Sequence, residues 1–138
     1  MSKDNQLYLN DILDAIGRIK KFTKDIGLEK FIEDELVHSA VIRQLEIVGE
    51  AANKISKELQ EEFDSIPWRE IIGTRNKLIH DYSGVDLVLV WNIVEKELDD
   101  LEKGLKRIFE VKGYKRLKKK RSNKAKKLLA KLKKEGKG

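Results

Sequence analysis

Four side chains of complementary chemistry fall within eight residues of the stretch Gly73-Thr74-Arg75-Asn76-Lys77-Leu78-Ile79-His80-Asp81-Tyr82: Arg75, Asn76, His80 and Tyr82. An unperturbed imidazole titrates at about 6.5 and can both take and give a proton near neutrality. A guanidinium presents fixed donors to a phosphate. Together they suit metal-free cleavage of RNA, with His80 as general base or acid at the 2′-hydroxyl or leaving oxygen and Arg75 stabilising charge at phosphorus. Asn76 would hold the imidazole in one tautomer or position the phosphate. On a helix Asn76 and His80 are four apart and share a face, as Arg75 and Tyr82, seven apart, share an adjacent one. Arg75 and His80 diverge by about 140° at roughly 100° per residue, so one chain sets them on two flanks of an edge. A dimer axis near that edge would bring His80 of one chain towards Arg75 of the other. From the residues alone a second reading stays open, in which Arg75, His80 and Tyr82 merely cap a helix end and pair with carboxylates of the body.

Other chemistries lack parts. The chain has no Cys, which removes disulfides, thiolate nucleophiles and zinc–thiolate sites, and fits a reducing cytoplasmic setting. It has no glycine-rich phosphate loop, and His38 lies 42 residues from His80, so no histidine pair stands at metal-ligand spacing. His38, beside an apolar stripe, reads as a structural histidine. Adjacent carboxylates such as Asp99-Asp100 or Glu61-Glu62 point to different parts of a helix surface and read as solvated. No metal and no cofactor are expected.

The elements that must position the motif are helices. Leu7, Leu9, Ile12, Leu13, Ile16, Ile19, Phe22 and Ile26 recur at three- and four-residue spacings, predicting a helix from Asp4 or Asn5 to about Ile26 that Gly27 ends. A longer helix is predicted over Phe31 to Phe63, with Leu36, Val37, Ala40, Val41, Leu45, Val48, Ala52, Ile55 and Leu59 as its inner stripe. Pro67 suits the first turn of a third helix, which runs towards Tyr82 with Gly73 as a candidate bend. Ser83-Gly84 marks a turn and Asp86 an N-cap for a fourth helix. There Leu87, Trp91, Val94, Leu98, Leu101, Leu105 and Ile108 form a heptad seam, which either packs on the long second helix or pairs with a second subunit. The fold class is therefore all-α, a four- to five-helix antiparallel bundle.

Charge divides the 138 residues unevenly. Residues 1–111 carry 16 Lys and Arg against 23 Asp and Glu, a net of −7, whereas residues 112–138 carry 14 against one, a net of +13. Residues 1–111 are thus expected to form the bundle and 112–138 a lysine-rich tail, either disordered or a short amphipathic helix around Leu128, Leu129 and Leu132. Such a tail attracts polyanions, whether RNA, DNA or an anionic membrane surface, or else simply keeps the protein soluble. Tyr114 is the tail's one candidate for stacking on a base, so nucleic-acid binding there would be unspecific. No apolar run approaches the roughly 18 residues of a bilayer span, and the N-terminal residues are too polar for a signal peptide, so neither export nor membrane insertion is expected.

Arg75-Asn76-Lys77-Leu78-Ile79-His80, extended by Asp81-Tyr82 to Arg-x4-His-x-Tyr, resembles the signature of the HepT branch of the HEPN ribonuclease superfamily. Two further blocks, Arg43-Gln44-Leu45-Glu46-Ile47-Val48-Gly49-Glu50-Ala51-Ala52-Asn53-Lys54-Ile55 and Ile66-Pro67-Trp68-Arg69-Glu70-Ile71-Ile72-Gly73, are similar to other family blocks in the same order. The likeness spans roughly Leu7 to Phe109 and leaves out the tail.

The resemblance implies a HEPN-like bundle that dimerises with two Arg-His motifs facing across a cleft, forming a composite, metal-independent endoribonuclease site from Arg75, Asn76 and His80. It further implies the toxin of a type VII toxin–antitoxin pair, silenced by an MntA-type nucleotidyltransferase antitoxin that transfers AMP from ATP to Tyr82. An adenylate beside His80 would add bulk and negative charge and so repel RNA. An alternative is a non-catalytic helical module that binds the nucleotidyltransferase, or RNA, and serves as its substrate.

Overall fold

A computed structural model describes residues 2–80, 86–117 and 123–136, with residues 2, 3, 75, 79 and 80 described by backbone alone. Every regular element among them is helical. The periodic apolar face of α1 (Ser2–Phe22) becomes the centre of the core, with Leu9, Ile12, Leu13, Ile16 and Ile19 buried. α1 packs along α3 (Glu35–Lys54), and α3 in turn along α5 (Trp68–His80). Side-chain pairs fix the directions. Asn5 meets Ser56 while Arg18 meets Gln44, so α1 and α3 run antiparallel. Lys20 meets Asp99 and Glu102 while Gln6 reaches the Lys115 carbonyl, so the last bundle helix also opposes α1.

The first predicted helix ends earlier than expected. α1 stops at Phe22, where the Thr23 hydroxyl donates back to the Ile19 carbonyl at 2.8 Å and Asp25 takes the left-handed conformation (φ 61°). Gly27 does not end that helix; it stands at the N-cap of α2 (Leu28–Glu33) in extended backbone. Leu7, assigned to the inner face, is exposed.

The long helix predicted over Phe31–Phe63 is three helices, α2, α3 and α4 (Lys57–Glu62). Each break is made by a side chain that competes with the helix for its own backbone donors. The Asp34 carboxylate accepts from the Val37 N–H, and the Ser56 hydroxyl from the Leu59 N–H at 3.2 Å. Asn5 holds the second break from outside, donating to the Ser56 hydroxyl and accepting from the Ser56 N–H, both at 3.0 Å. The Asp34 cap turns Leu36 outward, leaving it 81% exposed, whereas Val41, Leu45, Val48, Ala52, Ile55 and Leu59 are buried as predicted.

Asp86 caps α6 (Leu87–Asn92) by accepting from Val88 and Leu89, both at 3.1 Å. A π-helical turn, Ile93–Glu97, joins α6 to α7 (Leu98–Lys112), lengthening the hydrogen-bonded step from four residues to five. The heptad seam thereby shifts: Val90 and Trp91 are buried before the turn and Leu98, Leu101, Leu105 and Ile108 after it, while Leu87 and Val94 are only half-buried. The seam is consumed within the single chain. Phe31, fully buried, is tilted against Trp91 at 5.0 Å between centroids and edge-on to His38 at 6.1 Å. His38 is held by its Nδ1 contact to the Phe31 carbonyl at 3.0 Å, a structural placement.

α7 ends in a Schellman motif, with Gly113 left-handed (φ 70°) and the Tyr114 N–H donating to the Phe109 carbonyl at 2.9 Å. The chain then returns along α1. Asn10, only 1% exposed, accepts from the Leu117 N–H at 2.9 Å and from Arg116, and donates to the Leu117 carbonyl and to Asp14, both at 3.3 Å. Arg116 completes the clamp on the Asn10 carbonyl and the Asp14 carboxylate. Tyr114, the candidate base-stacking residue, is half-buried and edge-on to Phe109. Beyond residues 118–122, α8 (Asn123–Lys134) is a basic amphipathic helix with no buried residue.

Candidate functional site

α5 begins after the Ser65-Ile66-Pro67 break and is tied down at its start. Trp68 is buried and its indole N–H donates to the Phe63 carbonyl at 3.1 Å. Ile66 presses against α7 at Gly104, where a β-carbon would come within 3.0 Å of the Ile66 side chain. The helix runs unbroken through Gly73, with the Thr74 hydroxyl donating to the Glu70 carbonyl at 2.9 Å. Gly73 does not end the element, which packs along α3.

This scaffold carries Arg75, Asn76 and His80 on one helix, with His80 its last residue. Backbone positions 75 and 80 lie about 7.5 Å apart along the axis at a rise of roughly 1.5 Å per residue. Asn76 and Lys77 are exposed and Leu78 is half-buried. Tyr82 lies outside the described residues. The motif therefore lies on the last two turns of a helix whose first turn is anchored in the core, with Asn76 and Lys77 exposed there.

One turn before Arg75 an open groove of about 370 Å³ runs between α5, α3 and the start of α7. Its floor is apolar, from Leu45, Val48, Ile66, Leu98 and Leu101. Its exposed lining sets Glu70, Glu97 and Asp100 against Lys96. Three carboxylates to one ammonium repel a phosphodiester, so a polyanion is disfavoured in this groove. Glu70 and Thr74, four apart on the motif's own helix, both line this groove.

Elsewhere the charges are structural. Asp99 and Glu102 of α7 hold the Lys20 ammonium in its charged form and raise its pKa, and Lys20 in turn lowers that of Asp99. The Val37 N–H lowers the pKa of the capping Asp34, and Glu62 raises that of Lys112. Among the described residues no group of three or more His, Asp or Glu side chains is placed to hold a metal ion, and no helix is long and apolar enough to cross a membrane. Large exposed apolar side chains gather on α2, the start of α3 and α6: Leu28, Ile32, Leu36, Val88 and Leu89.

Comparison with known proteins bears on the same region. Residues 12–108 match the family model described as Ribonuclease HepT-like. A protein of Methanocaldococcus jannaschii named "Putative RNase MJ1380" is 43% identical over 104 residues, covering 75% of this chain and 95% of that one. "Probable ribonuclease HepT" of Thermococcus cleftensis is 41% identical over 102 residues, covering 74% of this chain and 93% of its own length. No solved structure matches the chain. The matched span begins midway along α1 and takes in the whole of α5 and all but the end of α7, and on that extent the chain belongs to the Ribonuclease HepT-like family.

Proposed function

We propose that this chain is the ribonuclease toxin of a type VII toxin–antitoxin pair, a metal-independent endoribonuclease that works as a homodimer. The observation that carries the reading is the coincidence of family and place: the family match spans α5, and α5 bears Arg75, Asn76 and His80 in the last turns of a helix anchored at its start. Two motifs brought together across a dimer axis would let His80 of one chain serve a phosphodiester that Arg75 of the other holds. The imidazole takes the 2′-hydroxyl proton as O2′ attacks phosphorus, the P–O5′ bond breaks with the 5′-oxygen taking a proton from an imidazolium or from water, and a 2′,3′-cyclic phosphate results. Arg75 offsets the charge building on the non-bridging oxygens, and Asn76 positions the phosphate or the ring. Exposed Ile32, Leu36, Val88 and Leu89 supply apolar surface for subunit contact.

Regulation in this reading falls on Tyr82. An MntA-type nucleotidyltransferase would have the tyrosine oxygen attack the α-phosphorus of ATP, with pyrophosphate leaving and the phenolic proton lost. The resulting adenylate brings a negative phosphodiester next to the motif and opposes RNA.

The test is RNA cleavage by the full chain in excess EDTA, with intact mass confirming that no AMP is attached. Cleavage is expected to survive the chelator and to fall by about 10²- to 10⁴-fold in His80→Ala. Unmodified protein that leaves RNA intact would refute the nuclease and favour the non-catalytic module that binds the nucleotidyltransferase.

A further inference from the structure

The body is poorly charged for RNA, and the chain's positive charge lies elsewhere. Residues 1–111 sum to −7, and three of their carboxylates, Glu70, Glu97 and Asp100, line the groove beside the motif helix. α8 carries Lys124, Lys126, Lys127, Lys131, Lys133 and Lys134 and no acidic residue. At roughly 100° per residue, Ala125, Leu128, Leu129 and Leu132 occupy an arc of about 100°, and the six lysines fill an arc of about 180° outside it. Lys124, Lys127, Lys131 and Lys134 step by three, four and three residues, a ridge about 15 Å long at a rise of roughly 1.5 Å per residue. Among the described residues no carboxylate forms an ion pair with any of these lysines.

The base of this segment is fixed to the body. The side-chain amide of Asn10 pairs with both the N–H and the carbonyl of Leu117, and Arg116 bridges Asn10 and Asp14. Six residue steps separate Leu117 from Asn123, at most about 21 Å of chain. The start of the lysine ridge is thereby kept within about 21 Å of Leu117.

We propose that α8 is an RNA-backbone-binding helix, tethered by the Asn10–Arg116–Leu117 clamp, that supplies the phosphate affinity the acidic body lacks. The proposal rests on the ribonuclease reading for its choice of polyanion. A bilayer surface is disfavoured by the narrow apolar arc, which has no aromatic anchor. Recognition is through phosphates and is indifferent to sequence, since the segment offers lysines and no base-stacking ring.

The experiment measures binding of the full chain to a fluorescent 2′-O-methyl oligonucleotide, which lacks the attacking hydroxyl, between 50 and 200 mM KCl. A single-strand site contributes about −0.7 to the log–log salt slope per phosphate neutralised. If the four-lysine ridge engages four phosphates, the slope contributed by α8 is about −2.8, an affinity loss of roughly 50-fold across that range. Replacing all six lysines by Gln should abolish that component with the far-UV circular dichroism retained, and replacing them by Arg should preserve it. Equal affinity and slope for wild type and the Gln variant would overturn the proposal, as would binding to phosphatidylserine vesicles without binding to the oligonucleotide. Cleavage of unmodified RNA is scored separately. Salt-sensitive binding without cleavage sinks the nuclease and leaves α8 an RNA-binding helix, whereas cleavage with α8-independent binding sinks the role of α8 alone.

Discussion

Asn10→Ala removes the amide that closes the body over the base of the tail. In the folded chain that amide is 1% exposed and makes two hydrogen bonds to the Leu117 backbone, one to Arg116 and one to Asp14. A hydrogen bond contributes a net of about 0.5–1.5 kcal/mol, more when one partner is charged. The gross loss is therefore on the order of 3–5 kcal/mol. Two effects reduce it. Leu117 is 42% exposed, so water can replace its lost partners, and Arg116 keeps its bonds to the Asn10 carbonyl and the Asp14 carboxylate. About 2 kcal/mol remains, a factor of roughly 30 in the equilibrium between docked and released segment. Because residues 114–117 lie at the end of the bundle chain, the loss should be local. Amide hydrogen exchange reads it directly: Leu117 should lose about 30-fold in protection, while amides of the α3 and α7 core, such as those of Val48 and Ile108, keep theirs. Unchanged exchange at Leu117 would refute the clamp. A uniform loss across the chain would refute its local character and make Asn10 a part of the global core.

Two further outcomes follow from the same geometry. Phe31→Ala should destabilise the fold by about 3–5 kcal/mol, since it empties a fully buried site between Trp91 and His38 and forfeits both ring contacts; a loss under about 1 kcal/mol in a urea titration would show that α2 is not part of the cooperative core. Lys20→Met should lower stability most near neutral pH: Asp99, with its pKa lowered, loses the benefit of the pair as pH falls below the carboxylate range near 4, and Lys20, with its pKa raised, loses it as pH rises past the usual lysine value of about 10.4. Melting temperatures of the two proteins should therefore converge at both extremes and in about 1 M salt, and a pH-independent gap would assign the effect to lost packing of the lysine stem.

The all-α class, the inner faces of α1 and α7 and the Asp86 cap are legible in the sequence because each is set by residues within a turn or two of one another. The same holds for Arg75, Asn76 and His80, whose types and spacing define a candidate site on one helix without reference to any other element. Non-local contact decides most of the rest. The apolar pattern runs across Asp34 and Ser56 as if one helix spanned them; the caps that divide it into α2, α3 and α4 are local and hidden by that continuous pattern, and the Ser56 break is secured from a distance by Asn5 of α1. The heptad seam is equally suited to a neighbour in the chain or to another subunit, and the π turn together with α1 turns it inward. Gly104 is an ordinary helix residue until Ile66 lies against it. Asn10 and Leu117 stand 107 residues apart, and no local pattern announces that an amide in the first helix will bind the backbone beyond the last helix of the bundle. Short-range preferences repeat along the chain and can be read from it, whereas a bond between distant segments exists only once the core has brought them together.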